Sequence, residues 1–162
     1  MSAIGPDQEV ILLIEDSDDD VLLTQLALRR AKITNPLIVA RDAQEGIAYL
    51  EGTGKFSNRA EFPIPGLVLL DISLPDGDGF EVLRRIRSHS GLRSLRVIML
   101  TCSNENQDID DAYSLGCNSY VIKPVKFCDY VDLMQVLIRF WLAQSQPPVL
   151  SRDYNGNQFE DT

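Results

Sequence analysis

Acidic, hydroxyl and ammonium side chains stand at the ends of four apolar runs in this chain. In chain order they are Glu15, Asp16, Asp71, Thr101 and Lys123. If each run is a strand of one parallel sheet, these side chains meet at the edge formed by the carboxyl ends of the strands. Two carboxylates about 4 Å apart repel each other by about 4 kcal/mol at an effective dielectric of about 20. A cluster of this kind therefore takes up a proton or recruits a cation.

This set of side chains fits the chemistry of phosphoryl transfer. Mg²⁺ prefers oxygen ligands and usually takes one or two carboxylates together with a phosphate oxygen. A metal ion and the ammonium of Lys123, flanking one carboxylate, would stabilise the charge on a phosphoryl group during its transfer. Asp71 is therefore predicted to be the nucleophile.

Each of these residues also has a simpler interpretation when it is taken alone. Glu15 and Asp16 could favour the start of the following helix through its dipole. Asp71 could be a turn former, and Lys123 a solvated charge at the end of a strand. The combination of all these residues in order, at four separate strand ends, favours the chemical interpretation.

Apolar runs alternate with helical patterns along the whole chain. The runs are mostly apolar at successive positions and span 10–14, 36–40, 66–72, 96–100 and 119–123. Strands of this kind are covered on both faces, which is typical of a parallel sheet. Because a helical pattern follows each run, we predict an α/β fold, a doubly wound (βα)₅ arrangement with a five-stranded parallel sheet of the flavodoxin-like class.

The composition excludes several other classes of protein. The 162 residues include 24 acidic and 15 basic side chains, and the net charge of −9 opposes contact with nucleic acid backbones. No apolar run approaches the roughly 20 residues that cross a membrane. The three cysteines, at positions 102, 117 and 128, lack the paired spacing of a zinc site or a disulfide framework. We therefore expect a cytoplasmic protein that binds neither nucleic acid nor membranes.

The type and order of these strand-end residues resemble the receiver domains of two-component response regulators. The resemblance implies that Glu15 and Asp16 bind Mg²⁺ (or Mn²⁺). It also implies that Asp71 is the phosphoacceptor and a metal ligand. In the same pattern, Thr101 is the switch hydroxyl and Lys123 is the lysine that contacts the phosphate.

Further positions of the family pattern lie in the loops. Ser73 takes the place whose backbone carbonyl is a metal ligand. Tyr120 takes the place of the switch aromatic, although it could equally be a plain core residue. Gly79, in the segment LPDGDGF, takes a place where a side chain would obstruct the backbone conformation. The bond between Lys123 and Pro124 matches one that is usually cis in the family.

The resemblance divides the chain into a leader at 1–8, a receiver domain at 9–143 and a flexible tail at 144–162. The segment 53–65 is longer than most connections and is predicted to be a surface insertion. Because no sequence remains for an output domain, we expect the output to act through another protein or by passing on the phosphoryl group.

The fifth helical pattern carries more apolar side chains than the sheet can cover. Phe140 and Trp141, near its end, are the expected anchors of a twofold homodimer. The alternative is that the tail or neighbouring side chains cover this helix. The 53–65 insertion and the sequence RFWLA also resemble single-domain response regulators associated with bacterial phytochromes. That resemblance implies a light-regulated histidine kinase as the phosphoryl donor.

The predicted function is that of a response regulator that accepts a phosphoryl group on Asp71. Phosphorylation is expected to change the face formed by the fourth helix, the fifth strand and the fifth helix. The chain is not expected to be an enzyme, beyond catalysing its own phosphorylation and dephosphorylation. A receiver fold that binds partners without phosphorylation is the alternative. A phosphatase for other substrates is disfavoured, because no second aspartate stands two residues after Asp71.

Overall fold

A computed structural model gives the structure of residues 9–144. The expected leader at 1–8 lies outside the described residues, and so does the expected tail at 144–162 except for the backbone of Gln144. Within the described part of the chain, five parallel strands alternate with five helices. The predicted (βα)₅ fold class is confirmed.

The elements follow the predicted order closely. The strands are β1 (Ile11–Ile14), β2 (Leu37–Ala40), β3 (Leu67–Leu70), β4 (Ser73–Leu74), β5 (Gly77–Asp78), β6 (Val97–Thr101) and β7 (Ser119–Ile122). The helices are α1 (Asp18–Arg30), α2 (Ala43–Glu51), α3 (Gly79–Ser88), α4 (Asn106–Ser114) and α5 (Phe127–Ile138). Short turns complete the described chain: a 3₁₀ turn at Gly54–Phe56 and a π-helical turn at Arg139–Gln144. Strands β4 and β5 pair as a small antiparallel hairpin, and the other strands form the main sheet.

The main sheet has the strand order β2-β1-β3-β6-β7, and every strand pair in it is parallel. The order reverses at β1, because the chain adds β2 on one side of this strand and β3 on the other. In open α/β sheets, ligands bind beyond the carboxyl ends of the strands at such a reversal. Ile14 of β1 is in register with Leu70 of β3. Glu15 and Asp71, the next residues, therefore leave the sheet side by side.

Both faces of the main sheet are covered by helices. Leu12 and Ile14 of β1 belong to a core shared with α2, α3 and α4, whereas Ile11 and Leu13 belong to a core shared with α1 and α5. Alternate residues of a strand point to opposite faces, so each face receives every second side chain. This arrangement explains why the strands are apolar at successive positions.

The segment 53–65 folds against α2 and contributes to the core. The Phe56 ring is buried and packs edge to face on the rings of Tyr49 and Phe62, at centroid distances of 5.1 and 5.2 Å. Arg59 donates to backbone oxygens in the last turn of α2, at 2.7 and 2.5 Å. Such contacts satisfy carbonyl groups that a helix end leaves without partners. The length of the segment predicted a surface insertion. In the structure, the aromatic residues of the segment also anchor it to α2.

Cys102, Cys117 and Cys128 are all free thiols, and only Cys117 is buried. Within residues 9–144, none of the helices combines the length and the apolar character that crossing a membrane requires.

Candidate functional site

The ammonium of Lys123 lies at the centre of a polar cluster beyond the carboxyl ends of the strands. Its Nζ donates to Glu15 Oε2 at 2.5 Å, to Asp20 Oδ2 at 2.8 Å and to Asp71 Oδ2 at 2.9 Å. Only 5% of the Lys123 side chain is exposed. Because an ammonium has three N–H donors, these contacts use its whole donor capacity. The structure therefore brings Glu15, Asp71 and Lys123 together, as the sequence predicted.

Burial and neighbouring charges shift the pKa values of this cluster. Burial and the Asp71 carboxylate raise the pKa of Glu15 to about 7, against the opposing effect of Lys123. Burial also acts against ionisation of Asp71, but hydrogen bonds with Glu15, Lys123 and Thr101 hold its pKa below the usual value. Burial acts against the charge of Lys123 as well, yet its hydrogen bonds to carboxylates raise its pKa above the ordinary range. The Asp71 carboxylate is thus ionised beside a positive charge, as a nucleophile requires.

The third carboxylate of the cluster belongs to Asp20 and not to Asp16. The sequence predicted that Asp16 converges with Glu15 and Asp71, but this expectation is wrong. The carboxylate oxygens that lie within 4.8 Å of one another belong to Glu15, Asp20 and Asp71, whereas Asp16 is exposed. Successive residues at the end of a strand point in opposite directions, so Glu15 turns inward and Asp16 turns outward. Asp20 reaches the cluster from the first turn of α1.

Thr101 and Tyr120 are connected through the loop that follows β6. Thr101 ends β6 and is 3% exposed. Tyr120, on the adjacent strand β7, is half-buried, and its hydroxyl donates to the backbone oxygen of Ser103 at 2.9 Å. The ring also packs against the core shared with α2, α3 and α4. A displacement of Thr101 would therefore move a loop to which Tyr120 is bonded, while the packing also fits the core interpretation of Tyr120.

The loop after Asp71 is shaped by the β4–β5 hairpin. Ser73, in β4, is exposed. The backbone N–H of Gly79 donates to the backbone oxygen of Ile72 at 2.7 Å, and a Cβ on Gly79 would lie only 2.1 Å from the backbone oxygen of Asp71. Gly79 does not have a positive φ angle. From the sequence, Gly79 was expected to permit a backbone conformation that a side chain would obstruct. In the structure, its role is instead to leave room for the end of β3.

Asp76, at the turn of the β4–β5 hairpin, joins the site loop to the start of α2. Its Oδ1 accepts from the backbone N–H of Ala43 at 2.8 Å and its Oδ2 from that of Gln44 at 2.9 Å. Asp42 accepts from a third amide of the same helix end, that of Glu45, at 2.7 Å. Burial acts against ionisation of Asp76, but the hydrogen bonds from these amides lower its pKa below the usual value. Sequence reasoning did not identify Asp76 as a residue that positions the site.

We expect Asp76→Asn to lower the free energy of unfolding by about 1 kcal/mol at pH 7, because an amide accepts through only one oxygen. The folded pKa of Asp76 is lowered, so its stabilisation is present above the unfolded pKa of about 3.9 and is lost as the pH falls through the folded pKa. Urea titrations of both proteins at pH 7 and toward acid pH measure this difference. The control is Asp110→Asn, which changes an exposed acid in α4. Equal losses for the two variants at pH 7 would contradict the prediction.

The peptide bond between Lys123 and Pro124 is trans, since no cis peptide bond occurs among residues 9–144. The family resemblance implied a cis bond, and this expectation is wrong for this structure. For a bond before proline the trans form is favoured by about 0.5–1 kcal/mol. The three carboxylate contacts of Lys123 form with the bond in this favoured state.

The two aromatic residues after α5 have different environments. Phe140 is 51% exposed and lies one turn after Val136, which is 66% exposed. Trp141 is partly buried against the core shared with α1 and α5, and its backbone oxygen accepts a hydrogen bond from Arg96. The rings of Phe140 and Trp141 meet edge to face at 5.0 Å. The exposed apolar patch, which we call the α5 patch, therefore consists of Val136 and Phe140 with Trp141 at its base.

Known proteins match the chain in sequence and in structure. A family model described as the response regulator receiver domain matches residues 11–135. The response regulator Rcp1 of Synechocystis sp. is 37% identical over 134 residues, which make up 83% of this chain and 89% of Rcp1. The crystal structure of the Mn²⁺-bound form of Rcp1 has a TM-score of 0.77 at 36% identity, and the match covers 87% of this chain and 99% of that one.

Two further crystal structures are similar over the same share of this chain. The response regulator RPA3017, in red light signaling of R. palustris, has a TM-score of 0.83 at 35% identity. The phosphorylated cyanobacterial phytochrome response regulator RcpA has a TM-score of 0.80 at 33% identity. Each match covers 87% of this chain and 99% of the compared chain. Each of these likenesses therefore extends over most of this chain.

Proposed function

The chain belongs to the response regulator receiver family, and from this premise we propose that Asp71 accepts a phosphoryl group from a histidine kinase. The observation that carries the proposal is the position of the Asp71 carboxylate, 2.9 Å from Lys123 Nζ at the reversal of the strand order. Because Rcp1-like relatives include regulators named for phytochrome and red-light signalling, we propose a light-regulated kinase as the donor.

The residues around Asp71 fit the requirements of phosphoryl transfer. A carboxylate oxygen attacks phosphorus while the bond from phosphorus to the donor atom breaks, and the donor keeps the electron pair. The ammonium of Lys123 and the hydroxyl of Thr101 would donate hydrogen bonds to the phosphoryl oxygens, whose charge must be balanced during the transfer. Attack by water on the same phosphorus would break the bond from phosphorus to the Asp71 oxygen, release inorganic phosphate and return Asp71 to its carboxylate form. The chain would thus catalyse only its own phosphorylation and dephosphorylation.

The residues present also fit a divalent cation. Carboxylate oxygens of three acidic side chains converge within 4.8 Å, and hard oxygen donors are the ligands that Mg²⁺ and Mn²⁺ prefer. Of these carboxylates we assign those of Glu15 and Asp71 to the cation, together with the backbone carbonyl of Ser73. The carboxylate of Asp16 lies outside the converging set, and we propose that it rotates toward the cation on binding. Asp16 and Ser73 are exposed, so an ion can reach both residues from solvent. When bound, the cation neutralises charge on the transferred phosphoryl group.

Phosphorylation of Asp71 would change the structure of the face formed by α4, β7 and α5. A phosphoryl group adds up to about two negative charges and strong acceptor oxygens, and these would attract Thr101 and Lys123. A shift of Thr101 moves the loop whose Ser103 oxygen binds the Tyr120 hydroxyl. The charge change at the strand ends would in this way alter packing at the edge of the sheet.

Incubation with acetyl phosphate and Mg²⁺, followed by intact mass measurement, tests this function. We expect the wild-type chain to gain one phosphoryl group, and to gain none when Mg²⁺ is chelated. Asp71→Asn should remain unlabelled, because an amide cannot act as the nucleophile. Asp110→Asn, a change of the same kind at an exposed position, should label like the wild type. If the wild type is labelled neither by acetyl phosphate nor by a histidine kinase, the alternative of a binding module without phosphorylation is favoured.

The α5 patch is proposed as the contact of a homodimer. Val136 and Phe140 stand one helical turn apart and are more than half exposed, so a second copy related by a twofold axis could bury both. We expect Phe140→Glu to weaken self-association at least about 100-fold, since the contact would lose a buried ring and gain a charge. Light scattering coupled to size exclusion measures the mass of each variant with and without phosphorylation.

The matched control for the dimer is Leu22→Glu, which places the same charge at an apolar side chain of α1 that is 53% exposed. This variant should retain the mass of the wild type. A wild-type chain that is monomeric in both phosphorylation states, or a Phe140→Glu variant that stays dimeric, would contradict this assignment.

A further inference from the structure

The proposed function requires Lys123 to donate to a phosphoryl oxygen, yet the structure leaves it no free N–H. Its ammonium contacts the carboxylates of Glu15, Asp20 and Asp71 at 2.5, 2.8 and 2.9 Å. An ammonium has only three donors. One of these contacts must therefore open before Lys123 can bind the incoming group.

The three contacts differ in how readily they can open. Glu15 has 2% of its side chain exposed, so a carboxylate released there would remain buried without a positive charge beside it, with only the Ser17 N–H as a donor among the described residues. Asp71 is itself the group that attacks phosphorus. Asp20 has 31% of its side chain exposed, and water can solvate its carboxylate after release. The contact with Asp20 is the one that opens at the least cost.

The backbone of Asp20 is held in place independently of Lys123. Its N–H donates to the side chain of Ser17 at 3.3 Å, and its backbone oxygen accepts from the hydroxyl of Thr24 at 2.8 Å. The same Thr24 hydroxyl shares a hydrogen bond of 2.8 Å with the hydroxyl of Tyr130 in α5, and both side chains are buried. The backbone of Asp20 is thus fixed on α1 and, through Thr24, linked to α5, so the residue does not shift as a whole when Lys123 moves toward Asp71.

From this arrangement we propose that Asp20 is a positioning residue that retains Lys123 in a resting position and competes with the phosphoryl group for it. The inference rests on the proposed function, because the competition has an effect only if Asp71 is phosphorylated. Asp20 sets the rate at which the site reacts without touching the reacting atoms.

Initial rates of labelling by acetyl phosphate at saturating Mg²⁺ test the competition. Asp20→Asn should be labelled about fivefold faster than the wild type, because a neutral acceptor holds an ammonium less strongly than a carboxylate does. Asp19→Asn is the matched control, since Asp19 is an exposed acid in the same helical turn, and it should change the rate less than twofold. Asp20→Glu restores the charge and should return the rate to near the wild-type value.

A second measurement follows Lys123 directly in the unphosphorylated protein. A retained ammonium gives a protected ¹⁵N-bound proton signal, which can be assigned by its loss in Lys123→Arg. We expect the signal in the wild type and in Asp19→Asn, and we expect faster proton exchange in Asp20→Asn. The inference would be overturned if the lysine protons exchanged equally fast in Asp20→Asn and Asp19→Asn. It would also be overturned if Asp20→Asn were labelled no faster than Asp19→Asn. Failure of the wild type to be labelled would instead count against the proposed function, while the lysine signal still tests the retention.

Discussion

Lys123→Met is expected to lower the free energy of unfolding by about 3 kcal/mol at pH 8, since removal of one partner leaves buried charges uncompensated. Methionine has a similar volume but no charge. The side chains of Glu15 and Asp71 are only 2% and 11% exposed, so water replaces the lost ammonium poorly. The same substitution should abolish rapid labelling of Asp71, because no other lysine contacts it among the described residues.

The loss of stability in Lys123→Met should depend on pH. In the wild type, Lys123 lowers the pKa of both Glu15 and Asp71. Without Lys123, the pKa values of Glu15 and Asp71 in the folded protein rise relative to those in the unfolded chain. Each carboxyl group then destabilises the folded protein when it ionises, so the free energy of unfolding falls as the pH rises through these pKa values. We therefore expect the deficit to be largest at pH 8 and to shrink toward pH 5, which urea unfolding at the two pH values measures.

Lys126→Met is the control for this prediction, because Lys126 is exposed just before α5. It should change the free energy of unfolding by less than about 0.5 kcal/mol at either pH. A deficit for Lys123→Met that is the same at pH 5 and pH 8 would show that lost packing, and not lost charge, is responsible.

The sequence was sufficient to predict the fold and the meeting of Glu15, Asp71 and Lys123 at one edge of the sheet. Strands that are apolar at every position require helices on both sides, and this requirement leaves few topologies other than the doubly wound sheet. Once the strands are parallel, any residue that follows them must lie at the same edge. Glu15, Asp71 and Lys123 meet there for this reason.

Residues that depend on the path of the chain after a strand were harder to predict. Asp18, Asp19 and Asp20 form one acidic run at the start of α1, and all three fit a favourable interaction with the helix dipole. Only the direction of each residue around the helix distinguishes Asp20, which turns back toward Lys123. The signal in the sequence for this contact is the spacing of five residues between Glu15 and Asp20.

Contacts between loops and helix ends were still harder to predict from the sequence. Asp76 binds amides of α2 that lie more than 30 residues earlier in the chain, and Arg59 binds carbonyls at the other end of the same helix. In sequence, an aspartate beside glycine indicates only a turn. Their roles depend on how the hairpin and the 53–65 segment pack, which local patterns do not specify.

Gly79→Ala is expected to lower the free energy of unfolding by about 3 kcal/mol through overpacking. It should also slow the labelling of Asp71 about 100-fold, because a misplacement of about 1 Å can cause a loss of this size. The added Cβ would lie 2.1 Å from the backbone oxygen of Asp71 and 3.1 Å from Cα of Ile72. Both neighbours are backbone atoms, so no side-chain rotation relieves the contact. The end of β3 and the start of α3 must separate, and Asp71 moves with the end of β3.

Gly54→Ala separates this steric effect from the general cost of replacing a glycine. Gly54 has a φ of +59° and no atom within 4 Å of an added Cβ, so the substitution should cost about 1–2 kcal/mol through backbone strain alone. Its rate of labelling should equal that of the wild type, because the 3₁₀ turn at Gly54–Phe56 packs on α2 through the Phe56 ring. If Gly79→Ala is labelled as fast as Gly54→Ala, the close approach of Gly79 to the end of β3 does not position Asp71 for labelling.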